Sequence, residues 1–130
     1  MIVDASAILA ILLREPEAAA FEEAIAHAGQ PCAISGIGYW EVMARLEHAG
    51  LTRTAGLAAA LLDQAGVAIA EIDGLQIRLA DRARSEFGKG RHPAQLNMGD
   101  CFAYALAKAR NLPLLFKGGD FSRTDIEAAL

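Results

Sequence analysis

Cysteine is nearly absent from this chain of 130 residues. Cys32 and Cys101 stand far apart, with no CxxC pair and no Cys/His cluster, which excludes a disulfide scaffold and leaves no zinc-ligand spacing. A reducing compartment is therefore expected. Aromatic residues are also few, at 6%, with a single tryptophan, Trp40. No basic segment precedes the first apolar run, and Asp4 follows almost at once, so no secretory signal is expected. The apolar stretch 5–13 falls short of the roughly 20 residues needed to cross a bilayer. The expectation is a cytoplasmic protein with no membrane contact. An excess of positive charge is missing too. A net charge of −4 and a pI near 5.3 argue against a uniformly basic nucleic-acid binder, while allowing a local basic patch.

What the chain does have is apolar mass, 54% of its residues, of which 28 are alanine. With Leu and Ile supplying the larger side chains, this is enough for a modest core in one domain spanning 1–130. Short apolar runs at 1–3, 32–35, 67–72 and 114–116 predict buried strands. Helical periods predict helices over 6–13, 17–28, 36–49, 54–65 and 73–87, and one following Asp100. Expected packing stripes are Leu57, Ala58, Leu61, Leu62 and Ala65 on one helix, and Leu75, Leu79, Ala83 and Phe87 on another. A last helix is expected from about 124 to the end. Gly50 fits a helix C′ position, and Asp73 fits an N-cap. Strands alternating with helices imply a short parallel sheet with helices on both faces. Ligands of such sheets bind beyond the carboxyl ends of the strands.

Four acids fall at that edge. Asp4 follows the first strand, Glu41 lies about a turn after the second, Asp100 opens the late helix, and Asp120 follows the last strand. Taken singly, each has an ordinary reading. Asp4 and Asp100 suit helix caps, worth about 1 kcal/mol each, Asp120 suits a loop, and Glu41 suits a solvated helix position. Taken together, they form a cluster whose members repel and raise one another's pKa unless a cation is present. Hard oxygen donors in that number suit Mg²⁺.

The segments MIVDASAILAILLREPE, WEV around Glu41, GDCFAYALAKA and LPLLFKGGDF resemble the PIN-domain ribonucleases, in particular the VapC toxins of bacterial toxin–antitoxin pairs. The run from GKGRH through LNMGDCFAYALAKA to LLFKGGDF is the most specific part, and the likeness covers essentially the whole chain. It implies a three-layer α/β/α PIN-like fold. It also implies an endoribonuclease dependent on Mg²⁺, with Mn²⁺ able to substitute, that cuts structured RNA such as tRNA to leave a 3′-hydroxyl and a 5′-phosphate. The family's acids map onto Asp4, Glu41 and Asp100, and its small hydroxyl residue onto Ser6, which supports the metal site. Asp4 and Asp100 then hold the metal, while Glu41 and Asp120 complete the acidic cluster. The fourth acid departs from the common Leu-Leu-Thr-x-Asp pattern. Phe116 stands at the Thr and Gly118 at the Asp, so Asp120 is the nearest acid and Asp125 the alternative. The likeness further implies a VapB-type antitoxin, homodimers, hetero-oligomers of toxin and antitoxin, and contact with DNA only through the antitoxin.

RNA affinity calls for cations near the acids. Lys117 stands beside Asp120, and the segment RARSEFGKGRH supplies Arg82, Arg84, Lys89, Arg91 and His92, whose alternative is a solvated helix and loop. Trp40 is expected in the core or at an interface rather than stacked on a base. Cys101 is expected to be a buried packing residue, and no histidine is assigned to catalysis. Two rival readings share the fold class. One is a non-catalytic PIN-like binding module acting only through protein partners. The other is an aspartate-based phosphotransfer domain, against which Asp-Ala-Ser stands where a second Asp is required.

Overall fold

The computed structural model describes residues 1–130. Four short parallel strands, β1 (Ile2–Val3), β2 (Cys32–Ser35), β3 (Val67–Ala70) and β4 (Leu114–Leu115), form one sheet in the order β3-β2-β1-β4. Between them run α1 (Ala5–Leu12), α2 (Ala18–Ala26), α3 (Gly36–His48), α4 (Thr52–Gln64), α5 (Gly74–Phe87) and α6 (Met98–Arg110). The expected α/β architecture is present, with helices on both faces. Alternate strand residues divide between two cores. Val3, Ile34 and Leu115 meet Ile8, Phe21, Leu46 and Leu62 of α1–α4. Ile2, Ala33 and Leu114 meet Ala80 and Ala83 of α5 and Leu106 of α6. Each buried Leu or Ile contributes about 1.5–3 kcal/mol of transfer free energy, which is how strands of two to four residues hold their register.

Helix α6 explains much of the alanine. Cys101, Ala103, Tyr104, Ala105, Leu106 and Ala107 are all buried, as befits a helix enclosed nearly all round. Its small residues permit close approach to α5 and the sheet. The helix ends where Asn111 turns left-handed, at φ 51°, before Pro113. No helix of the chain is long and apolar enough to cross a membrane.

The chain builds β1, β2 and β3 in one direction and then places β4 on the far side of β1. The carboxyl ends of β1 and β4 therefore lie side by side where the strand order reverses, the customary binding crevice of an open α/β sheet.

Four local expectations are corrected. The C-terminal residues form no helix. After a 3₁₀ turn over Phe121–Arg123, the chain runs along the free edge of β4, with Leu114 N–H donating to Glu127 O and Ala129 N–H to Leu114 O. Seven residues cannot sustain an isolated helix, whereas an open strand edge offers unpaired groups. Strand β3 stops at Ala70 rather than at 72. On α4 the buried face is Ala55, Ala58 and Leu62, with Leu57 and Leu61 exposed. On α5 it is Gln76, Ala80 and Ala83, with Leu75 exposed. Gln76 enters the interior with its Nε2 donating to Glu71 O at 2.9 Å and its Oε1 buried without a partner, a local anchoring that hydrophobic periodicity does not register.

Candidate active site at the sheet switch point

Asp4 is the first residue past β1 and the N-cap of α1. It is 4% exposed. Its Oδ2 accepts from the backbone N–H of Ser6 at 2.9 Å and from the Ser6 hydroxyl at 2.6 Å. Burial nonetheless pushes its pKa up, against the pull of the Ser6 hydrogen bonds. Ser6 Oγ in turn accepts from Lys117 N–H at 3.0 Å. One hydroxyl thus ties the corner after β1 to the corner after β4, which gives Ser6 a structural reason to be small and polar.

Glu41 reaches the crevice from the second turn of α3, which Ser35 caps by accepting from Gly38 N–H at 2.9 Å. Its carboxylate lies against the start of α6, in space left open because residue 99 is glycine. Desolvation raises the Glu41 pKa, the charge of Asp4 raises it further, and Arg45 opposes both. Asp100 belongs to a capping box. Asn97 Oδ1 accepts from Asp100 N–H at 3.0 Å, and Asp100 Oδ2 accepts from Asn97 N–H at 2.7 Å. The cap is therefore Asn97, and Asp100 is the third residue of the helix. Burial pushes Asp100 up to about 6, opposed by the Asn97 hydrogen bond and reinforced by the charges of Asp4, Glu41 and Asp120. Asp120 is exposed and caps nothing. Gly118, at φ +98°, allows the turn that brings it back over the crevice.

A cleft of about 170 Å³ collects Asp4, Ser6, Glu41, Asp100 and Asp120. The sequence named all five of these residues. Asn97 and Arg45 also line it, and both escaped the sequence reading. The first was signalled by an Asn three residues before an acid at a helix start. The second was signalled by a cation four residues after Glu41, on the same helix face. Asp125 lies elsewhere. It accepts from Tyr104 OH at 2.9 Å and pairs with Lys108 Nζ at 2.8 Å, and that pairing lowers its pKa.

The cations named from sequence divide. Lys117 lines the cleft, with its Nζ 2.8 Å from Glu15 Oε2 and 3.0 Å from Glu17 Oε2. Arg82 pairs with Glu86 at 2.8 Å and Arg84 with Asp81 at 2.7 Å along α5. Arg84, Lys89 and Arg91 border a separate depression of about 610 Å³, which meets the acid cleft at Asn97. Trp40 is 64% exposed, so it is not a core residue. Cys101 is buried, as expected.

The donor chemistry of the cleft suits a hard divalent cation. It offers carboxylate and hydroxyl oxygens, and repulsion among its acids favours an added positive charge. No three His, Cys, Asp or Glu side chains close into a ready-made ligand cage.

Comparison with known proteins identifies the family of the fold. The PIN domain family matches residues 1–127. Ribonuclease VapC42 of Mycobacterium tuberculosis is 39% identical over 130 residues, covering 99% of this chain and 98% of the relative. Ribonuclease VapC of Mycolicibacterium smegmatis is 42% identical over 130 residues, covering 98% of each. Among solved structures, M. tuberculosis VapC20, a toxin that cleaves the sarcin–ricin loop, superposes with a TM-score of 0.75 at 16% identity, over 96% of this chain and 95% of that one. A toxin–antitoxin complex from Klebsiella pneumoniae gives 0.66 at 20% identity, over 95% and 92%. With its full-length likeness to VapC ribonucleases and its acids gathered at the switch point of a PIN-type sheet, the chain belongs to the PIN-domain family, among its VapC ribonucleases.

Proposed function

We propose that the protein is a divalent-metal-dependent endoribonuclease toxin that hydrolyses phosphodiester bonds of structured RNA, with tRNA the first candidate. The observation that carries this reading is the convergence of Asp4, Glu41, Asp100 and Asp120 from four separate elements on one cleft. Asp4 and Asp100 would hold Mg²⁺, or Mn²⁺ in its place, directly or through water. Such an ion neutralises charge developing at phosphorus and lowers the pKa of a bound water. Ser6 fixes the Asp4 carboxylate by its two hydrogen bonds. Asn97 holds the Asp100 carboxylate by one backbone N–H. Glu41, set against the start of α6, orients the attacking water, and Asp120 closes the open side of the cleft. No protein nucleophile takes part, and hydrolysis leaves a 3′-hydroxyl and a 5′-phosphate. Lys89, Arg91 and Arg84 form a basic border beyond Asn97 along which the RNA backbone runs.

The same reading includes neutralisation by a VapB-type antitoxin. An apolar cleft of about 370 Å³ between α1, α2 and α4, with Ile8, Ile11, Leu12 and Leu61 on its walls, suits an apolar antitoxin segment. The exposed Trp40 and Met98 suit a homodimer contact. The test is cleavage of a cellular tRNA pool by antitoxin-free protein, with Mg²⁺ and with EDTA, beside Asp100→Asn. Cleavage that needs the metal and disappears in the folded variant is the expected result. Equal cleavage by the variant would overturn the assignment of the site.

A further inference from the structure

Two cations reach the acid cleft, Arg45 and Lys117, and only Lys117 is tied into ion pairs, while Arg45 acts on Glu41 through its charge alone. Lys117 is matched by Glu15 and Glu17. Arg45 takes part in none of the ion pairs of the chain. It lies one helical turn beyond Glu41 on α3, on the same face, and is exposed. An unpaired guanidinium beside four carboxylates is positioned for an anion brought in from outside. Its planar fork matches a phosphate better than an ammonium would.

The surroundings of Arg45 say what else that anion carries. Next to the acid cleft is a depression of about 420 Å³, sharing Ser6, Leu9, Arg45 and Lys117 with it, floored by Leu13, Leu46 and Ala49, and carrying Glu15 on its wall, where Lys117 neutralises it. The two hollows therefore adjoin, with Arg45 on their common border. A cation at the rim and an apolar floor behind it is the complement of a nucleotide, which has an anionic phosphate and a flat, largely apolar base face. Leu13, 42% exposed, leaves that floor open to solvent.

We propose that Arg45 and the depression floored by Leu13, Leu46 and Ala49 form a subsite for the nucleotide adjacent to the scissile bond, Arg45 holding its phosphate and the apolar floor its base. This subsite rests on the nuclease reading above and adds a substrate-binding residue to it. It places RNA on the α1–α3 side of the acids, opposite the basic border at Lys89 and Arg91, so that the strand crosses the carboxylates rather than ending on them.

The test uses fluorescein-labelled single-stranded RNA of mixed sequence, bound to Asp100→Asn protein in Mg²⁺ and followed by anisotropy across a range of salt concentrations. Arg45→Ala weakens binding about five- to tenfold, as for one charge-assisted contact. It also lowers the slope of log affinity against log salt by about 0.7, the loss of one phosphate contact. Arg45→Lys keeps the slope. Leu13→Ser weakens binding with the slope unchanged, since it removes apolar contact and no charge. Melting temperatures of all three variants stay near the parent's. Unchanged affinity and slope in Arg45→Ala overturns the subsite, and so does a variant that binds RNA normally but loses affinity for the cognate antitoxin. The two readings fail separately. If the wild-type protein cuts RNA with metal and Arg45→Ala leaves KM unaltered, the subsite falls and the nuclease stands. If no RNA is ever cut but binding depends on Arg45, the nuclease reading falls and takes the scissile-bond assignment with it, leaving Arg45 as an RNA contact of a binding module.

Discussion

The carboxylate of Glu41, on α3, occupies the space that a side chain at Gly99, on α6, would fill. A Cβ built on Gly99 would collide with Glu41 Oε2 and approach Asn97 Oδ1 to 3.3 Å. The glycine is thus part of the site, although it carries no functional group. It lets an acid from one helix rest against the positive end of another.

Gly99→Ala separates stability from function. Alanine is favoured over glycine within a helix by up to about 1 kcal/mol, and the clash is with the far end of a flexible side chain. The melting temperature should hold or rise. Cleavage of the tRNA pool should nevertheless fall about 10- to 100-fold, the scale of a displaced catalytic group. A variant that melts like the parent and cuts like the parent would show that Glu41 need not lie against α6.

Asp100 sets a pH dependence. Its pKa is raised from 3.8 to about 6 in the folded chain, so between those values the folded state holds a proton that the unfolded state has released. Through this group, metal-free stability falls as pH rises from about 4 to 6 and stays low above. Asp100→Asn removes the burial of that charge, and asparagine keeps an oxygen for the Asn97 cap. At pH 7 without metal, Asp100→Asn should therefore melt above wild type, and the gap should close as pH falls through 6 towards 4. Added Mg²⁺ should raise the wild-type melting temperature alone. Scanning calorimetry across that pH range checks both signs, and a gap that widens on acidification would contradict the burial of Asp100.

Asp4, Asp100 and Asp120 were legible in the sequence because each stands next to a strand end or helix start, where short-range signals are strong, and Glu41 because it lies little more than a turn beyond the second strand. The sheet was legible for the same reason, since four apolar runs separated by helical periods admit few topologies. The faces of α4 and α5 were not. Both helices carry leucine or isoleucine on more than one side, and which side is buried depends on tertiary packing. Leu57 and Leu75 are exposed while smaller alanines face the sheet. The C-terminal segment was misread as helix because its pairing partner, the edge of β4, is invisible to local pattern. Pairings of Lys117 with Glu15 and Glu17 span about a hundred residues of chain and leave no local trace either.

The identity of the fourth acid is decided by a pair of variants. Asp125 is engaged by Tyr104 and Lys108, away from the cleft, whereas Asp120 lines it. Asp125→Asn should leave cleavage within about twofold. It should lower stability by less than about 1 kcal/mol, the range for an exposed ion pair. Asp120→Asn should lower cleavage at least about tenfold, as for loss of a carboxylate that supports a bound divalent cation, with melting little changed. Loss of cleavage in Asp125→Asn alone would reverse the assignment.

Lys117 carries the last prediction, and here the structure shifts the weight of an earlier expectation. From sequence, Lys117 reads as a phosphate contact whose removal weakens cleavage with the fold intact. In the structure its ammonium is clamped between Glu15 and Glu17 at 2.8 and 3.0 Å, while its backbone N–H donates to Ser6 Oγ. Glu17 Oε2 is buried and has no well-aligned hydrogen bond, so it relies on the Lys117 charge. That pairing lowers the Glu17 pKa, while Glu15 first and Glu17 second raise that of Lys117. Lys117→Ala should therefore lower the melting temperature and weaken cleavage together, because it frees the loop carrying Asp120. The Glu17 contribution is present above its ordinary value of 4.5 and disappears as pH falls through its lowered folded value. The stability gap between wild type and Lys117→Ala should thus be wide at pH 7 and narrow in acid. A variant that binds RNA less tightly at an unchanged melting temperature would return Lys117 to the role of a direct phosphate contact.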